Sequence, residues 1–208
     1  MREECPWDRE QDARSIVSHT VEEAYELADA AASGDDAKLL DELGDVLFQV
    51  YFLALLLEER GTGDLGQVAE QHMTKLVRRH PHVFGEVEAE NAAQVLENWD
   101  RIKRSERDGQ IFGEIPETLP ATLHARKLQV RGARAGAGVA GGSAEALTAL
   151  RTAVGEAPDP DAERAVRVDY VGNLLFDAVD VARTLDVDPE LALRAAAERF
   201  RTTREAAQ

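Results

Sequence analysis

Apolar and polar residues follow a helical period along most of the chain. The clearest case is Leu39, Leu43, Leu47, Val50, Ala54 and Leu57, which recur every three or four positions. They predict a helix over residues 37–60, stopped by Gly61-Thr62-Gly63. Over residues 46–57 apolar side chains occupy nearly the whole circumference, and a helix apolar all round is expected to be buried all round. That suits the centre of a bundle, a subunit interface, or both. Upstream, residues 6–19 read as an irregular segment with a short helix. Thr20 then reads as an N-cap, with Thr20-Val21-Glu22-Glu23 as a capping box opening a helix to about Ala32. Ser33-Gly34-Asp35-Asp36 ends that helix and caps the next. Further helices fit residues 65–79, ending at Pro81, and residues 92–107.

The second half continues the pattern. Gly109, Gly113, Pro116 and Pro120 mark residues 108–120 as a linker, followed by a helix over 121–131. Residues 132–142, mostly Gly and Ala, are expected to be mobile. Helices are predicted at about 144–154, 161–185 and 189–204. No segment alternates as a strand does, so the expected fold is all-α. An internal repeat joins the halves: Asp41-Glu42-Leu43-Gly44-Asp45-Val46-Leu47-Phe48 aligns with Asp169-Tyr170-Val171-Gly172-Asn173-Leu174-Leu175-Phe176. The shared frame is Asp-x-x-Gly-x-x-Leu-Phe. The acids differ: Glu42 becomes Tyr170 and Asp45 becomes Asn173.

Composition narrows the partners. Of 208 residues, 24 are Lys or Arg and 40 are Asp or Glu, a formal net charge of −16. Such a chain does not bind a nucleic-acid polymer through bulk electrostatics. A small anion remains possible if a cation bridges it to carboxylates. Cys5 is the only cysteine, which rules out an intramolecular disulfide, and it has no convincing partner for a nucleophilic role. The longest apolar run, within residues 46–57, is too short to span a bilayer, and the first residues lack the apolar stretch of a secretory signal. A cytoplasmic protein that does not engage membranes is the expectation.

The acids carry the candidate chemistry. Residues three apart share one side of a helix, so Glu23 and Glu26 point together, as do Glu42 and Asp45. The intervening residues suffice to finish one helix, turn at Gly34 and return antiparallel. The two pairs then face each other, and carboxylates held this close repel unless a cation neutralises them. An all-oxygen group suits Mg²⁺, or Mn²⁺. Glu is also a good helix former that often sits on solvated faces. Two features argue past that reading. Glu42 and Asp45 adjoin a strongly apolar helix, and the second copy of the repeat drops these two acids while keeping its apolar frame. A di-iron bundle requires Glu-x-x-His, which is absent. His80-Pro81-His82 reads as a helix-ending turn. Lys75, Arg78 and Arg79 cluster within a turn, and Arg101, Lys103 and Arg104 cluster near Trp99. Such groups could hold phosphate oxygens while Trp99 packs on a base or sugar; taken singly, they also suit surface counter-charges.

Together these segments resemble a known family. Cys5-Pro6-Trp7-Asp8-Arg9-Glu10-Gln11, Glu22-Glu23-x-x-Glu26, Glu42-Leu43-Gly44-Asp45, Lys75-Leu76-Val77-Arg78-Arg79-His80-Pro81-His82-Val83-Phe84 and Trp99-x-x-x-Lys103 are similar in order and spacing to the MazG nucleoside triphosphate pyrophosphohydrolases. The resemblance covers roughly residues 5–107 and continues more weakly through 114–204. It implies an all-α bundle of MazG type with two related helical domains, completed by a homodimer. The implied plan is a catalytic domain over 1–109, a linker with a helix and the mobile stretch over 110–143, and a degenerate second domain over 144–208. It implies hydrolysis of NTPs and dNTPs between the α- and β-phosphates to a nucleoside monophosphate and pyrophosphate, a housecleaning of the nucleotide pool. By position, Glu23, Glu26, Glu42 and Asp45 would bind Mg²⁺, and Glu22 would orient or deprotonate the attacking water. Lys75 and Arg79 would contact phosphates, and Trp99 and Lys103 would close over the nucleotide. Trp7, Asp8 and Gln11 would lie beside the base.

The chain departs from that pattern in places. Only four residues precede Cys5, where family members usually carry a helix; the start is truncated or the helix is dispensable. The second domain lacks a Glu-Glu-x-x-Glu, and Arg199 and Thr203 stand where Lys75 and Arg79 have their counterparts. It is therefore expected to hold no metal and to support the dimer. A different class of function is a non-catalytic helical dimer that binds nucleotide or a partner protein as a regulator. A narrower substrate, such as dUTP, is a further alternative.

Overall fold

The computed structural model describes residues 2–106 and 110–206. Among them are ten helices and no strand, the all-α architecture that the periodicity predicts. The chain divides into two compact units, Met1–Asp100 and Arg101–Gln208. The helix end expected at Arg107 and the domain boundary after Gly109 lie outside the described residues, as do positions 1, 207 and 208.

Unit 1 begins with the short helix α1 (Pro6–Glu10). Helix α2 (Ala13–Ser33) follows at once, capped by Asp12, whose Oδ1 accepts from the backbone N–H of Arg14 and Ser15 at 2.8 Å each. Thr20 is therefore not an N-cap but an interior residue of α2, where its hydroxyl donates to the Ile16 carbonyl at 3.4 Å. Asp12 with Ser15 makes a better reciprocal cap two turns earlier, and the helix absorbs the segment read as irregular. Gly34 ends α2 with φ 71°, a left-handed turn that favours glycine. Asp35 caps α3 (Asp36–Glu59), which packs against α2 as a hairpin.

The core of this hairpin is small. Ile16, Phe52 and Leu56 are buried together, with Ala13, Phe48 and Leu53 packed against them. Arg2 closes one end: its guanidinium lies 5.5 Å from the Phe52 ring centroid and pairs with Glu59. The all-round burial expected of α3 is not met within one chain. Gln49, Phe52, Ala54 and Leu56 face inward, whereas Leu43, Leu47, Val50, Tyr51 and Leu55 are exposed. One hairpin partner covers one stripe of a helix, and α2 can hide no more. Helix α4 (Leu65–Arg79), with Asp64 and Gln67 as its capping box, packs on α3 and on α5 (Pro81–Phe84). Helix α6 spans Ala92–Ser105.

Unit 2 contains α7 (Ala121–Arg134), α8 (Ser143–Gly155), α9 (Arg164–Thr184) and α10 (Pro189–Glu205). Helices α8 and α9 form a second hairpin, and α7 packs along α9. Gln129 of α7 is 1% exposed and its Nε2 donates to the Phe176 carbonyl at 2.7 Å. Helix α7 runs one turn into the Gly/Ala-rich stretch. There Gly132 lies so close to Val139 that a Cβ would meet its Cγ2 at 3.0 Å. Ala137 N–H donates back to the Gly132 carbonyl at 2.9 Å, folding the following loop onto the helix end.

Candidate metal and phosphate site

The α2–α3 hairpin carries the acids. Glu23 and Glu26 lie one turn apart on α2, and Glu42 comes from the opposing helix α3. One carboxylate oxygen of each falls within 4.8 Å of the others. Both Glu23 and Glu42 are half-buried, and Glu26 is exposed. Partial burial first, then the charges of Asp45, Glu26, Glu42 and Glu22, raise the pKa of Glu23 above its ordinary value. Burial, followed by the charges of Glu26, Asp45 and Asp41, raises Glu42 likewise. Of the four acids expected to converge, three meet. Asp45 is exposed and outside the trio, but its charge acts on both Glu23 and Glu42.

This trio fits a hard cation. Its donors are all carboxylate oxygens, which are the ligands such ions select. Glu42 Oε2 is shielded from solvent and has no hydrogen-bond partner among the described residues. A buried, unsatisfied carboxylate oxygen is costly, and a bound cation would relieve both that cost and the mutual repulsion.

Glu22 lies outside the trio, and its charge acts on Glu23. Its side chain is 65% exposed, and Oε2 lies 3.8 Å from His19 Nδ1. The His19 ring in turn meets Trp7 edge-on, centroids 6.0 Å apart. A chain of contacts thus joins the segment before α2 to the residue beside the acids. His19 did not stand out in the sequence, although its spacing to Glu22 was visible there. Placing a helix start at Thr20 would put His19 outside the helix and break the one-turn relation between them.

The remaining candidates are placed as follows. Gln11 Nε2 donates to the Trp7 carbonyl at 3.1 Å, and Trp7 is exposed. Asp8 is only 4% exposed, with Oδ2 lacking a hydrogen-bond partner among the described residues, so α1 turns this carboxyl inward. Lys75 and Arg79 occupy the last two turns of α4, Lys75 exposed and Arg79 half-buried. Trp99 and Lys103 are half-buried on α6. These side chains are not part of the acidic trio, which α2 and α3 build alone.

Comparison with known proteins adds an independent finding. Residues 11–84 match the MazG nucleotide pyrophosphohydrolase domain. The chain is 38% identical over 203 residues to the nucleoside triphosphate pyrophosphohydrolase of Escherichia coli K12, covering 94% of this chain and 77% of that protein. It is 38% identical over 207 residues to the nucleoside triphosphate pyrophosphohydrolase/pyrophosphatase MazG of Thermotoga maritima, covering 95% and 76%. An uncharacterized 26.1 kDa protein of Streptomyces cacaoi is 38% identical over 208 residues, covering 98% and 76%. The similarity runs through both units.

Proposed function

The chain belongs to the MazG nucleotide pyrophosphohydrolase family, and on that premise we propose that it hydrolyses nucleoside triphosphates to nucleoside monophosphate and pyrophosphate at the acidic trio of unit 1. The observation that carries the site is the convergence of Glu23, Glu26 and Glu42 across the hairpin, with two pKa values raised by burial and repulsion. Triphosphate cleavage needs charge neutralisation and in-line positioning more than covalent chemistry.

Glu23, Glu26 and Glu42, with Asp45 beside them, would hold Mg²⁺, or Mn²⁺ in its place. Such an ion supplies charge neutralisation to phosphate oxygens that an acidic site would otherwise repel. The chain's own groups do the rest. Glu22 accepts a proton from the attacking water as its oxygen bonds to phosphorus. The bond between the α- and β-phosphates breaks, and pyrophosphate leaves. His19, one turn away with Nδ1 3.8 Å from Glu22 Oε2, would help orient that carboxylate. Lys75 and Arg79 contribute positive charge to the phosphate chain, and Trp99 and Lys103 contribute to nucleotide binding. Trp7 and Gln11 contribute beside the base.

A second copy of this chain is the proposed cover for the exposed stripe of α3. Leu43, Leu47, Val50, Tyr51 and Leu55 form it. Gly44 interrupts α3 with open space where its Cβ would be. A helix-interior glycine costs about 1 kcal/mol relative to alanine, and close approach of a second helix is a reason to keep one. Light scattering should give twice the chain mass; a monomer at every concentration rejects it. Among the described residues no helix is long and apolar enough to cross a membrane, in keeping with a cytoplasmic role in clearing the nucleotide pool.

The direct experiment incubates pure protein with Mg²⁺ and a panel of NTPs and dNTPs. Equal amounts of monophosphate and pyrophosphate are expected for at least one substrate. No product from any of them rejects the function.

A further inference from the structure

Unit 2 has lost its acids, yet it contains a cavity of the opposite character. A cleft of about 290 Å³ opens between α7 and the end of α9, lined by Arg126, Val130, Ala133, Arg134, Arg183 and Asp186. Three of its six lining residues are arginines, in a chain whose net charge is −16. Three guanidinium groups around one cleft repel each other unless anions intervene. Asp186 is the one carboxylate in the lining, and Asp180, outside it, pairs with Arg183.

The arginines are also prepared for a ligand. Arg183 is fixed on two sides: Nε lies 2.6 Å from Asp180 Oδ1, and Nη2 donates to the Ala140 carbonyl at 2.6 Å. Neither bond uses Nη1. The Arg183 and Asp180 side chains are 14% and 11% exposed, so this wall is held in place from within the unit. Arg126 Nε is shielded from solvent and has no hydrogen-bond partner among the described residues. A buried N–H of a charged group without an acceptor is costly, so a turn of the Arg126 side chain that offers it to a ligand oxygen in the cleft would be favoured. Arginine presents its donors as a planar fork that matches phosphate oxygens. The volume lies just below the range of about 300–1,000 Å³ typical of pockets for drug-sized molecules, which suits a compact anion better than a whole nucleotide.

From this geometry we infer that unit 2 carries an anion-binding site, formed by Arg126, Arg134 and Arg183, for a small multivalent phosphate compound such as pyrophosphate. The site needs neither the acidic trio nor a metal, so it stands or falls separately from the proposed hydrolysis.

Calorimetric titration of the full chain with inorganic pyrophosphate in EDTA tests it. Binding of one pyrophosphate per chain is expected, weakening as salt is raised. Glu42→Gln should bind as the unaltered chain does. Arg126→Gln should bind at least tenfold more weakly. Arg134→Gln alters an exposed side chain, so it should fold normally and also bind at least tenfold more weakly; circular dichroism checks the fold of both. The site is overturned if the unaltered chain binds no pyrophosphate without metal, if binding survives Arg134→Gln unchanged, or if Glu42→Gln abolishes it.

Discussion

Helices α3 and α9 share the frame Asp-x-x-Gly-x-x-Leu-Phe, and they have been put to opposite uses. In unit 1 the frame carries Glu42, which meets Glu23 and Glu26 of α2. In unit 2 the same place holds Tyr170, whose hydroxyl lies 3.5 Å from the Val154 carbonyl of α8. Gly44 and Gly172 both have open space where a Cβ would project, so the two frames present comparable bare faces. The difference continues inward. At the same offset of 128 residues, Phe52 corresponds to Asp180 and Leu55 to Arg183. Unit 1 buries a phenylalanine against Ile16 and Leu56, while unit 2 buries an ion pair at 2.6 Å. One hairpin keeps an apolar interior and displays acids; the other keeps charge inside and carries Tyr170 and Asn173 where the first has Glu42 and Asp45. A helical frame therefore does not determine the chemistry it carries.

The largest expected effect lies in catalysis. Glu42→Gln should lower turnover by more than the roughly 10–100-fold typical of residues that only support metal ligands, with helicity unchanged. The matching change in unit 2, Tyr170→Phe, should leave turnover within about twofold. A steady-state assay of both variants decides. Full activity in Glu42→Gln would remove this acid from the site, and a comparable loss in Tyr170→Phe would erase the distinction between the units.

Next comes the buried pair. Arg183→Ala leaves Asp180 buried without its partner and should cost about 3 kcal/mol, since breaking such a pair strands a charge. Replacing both residues with the unit 1 pattern, Asp180→Phe with Arg183→Leu, should be near neutral or stabilising if the cavity accepts the volume. Denaturant unfolding measures both. A double variant as unstable as Arg183→Ala would mean that the pair is held by more than its mutual attraction, and the comparison with Phe52 and Leu55 would fail.

The smallest effect separates stability from function within unit 1. The folded-state pKa of Glu23 lies above its ordinary value of 4.5, through burial and then the neighbouring acids. Protons therefore bind the folded chain more tightly than the unfolded one. That stabilisation is complete below the unfolded-state pKa and is lost as pH rises through the folded value. At pH 7 without metal, the Glu23 charge works against the fold, so Glu23→Gln should melt slightly higher than the unaltered chain. The gap should close as pH falls below 4.5. Thermal melts in EDTA across this range check it; a variant that melts lower at pH 7 would contradict the assigned repulsion.

Much of the architecture was legible in sequence because it rests on local periodicity. The end of α2, the start of α3 and the full extent of α4 follow from glycine and aspartate punctuation around apolar repeats. The start of α2 did not. Thr20 and Glu23 have the spacing of a capping box, as do Asp12 and Ser15 with their own side chains, and spacing cannot rank two such signals. The structure chose Asp12 because Ile16 must already be helical to reach Phe52 and Leu56. That choice is also what brings His19 within one turn of Glu22.

By itself the sequence determined the all-α class, the hairpin turn at Gly34, the pairing of Glu23 with Glu26, and the presence of Tyr170 and Asn173 where the first frame has acids. All of these depend on residues close together along the chain. Tertiary structure alone decided that Asp45 stays outside the trio that Glu42 joins, that Asp8 turns inward, and that one stripe of α3 stays uncovered. It alone gathered Arg126, Arg134 and Arg183 around one cleft. Each of those outcomes depends on how one helix is rotated against another, and a linear period leaves that angle free until the buried side chains interlock.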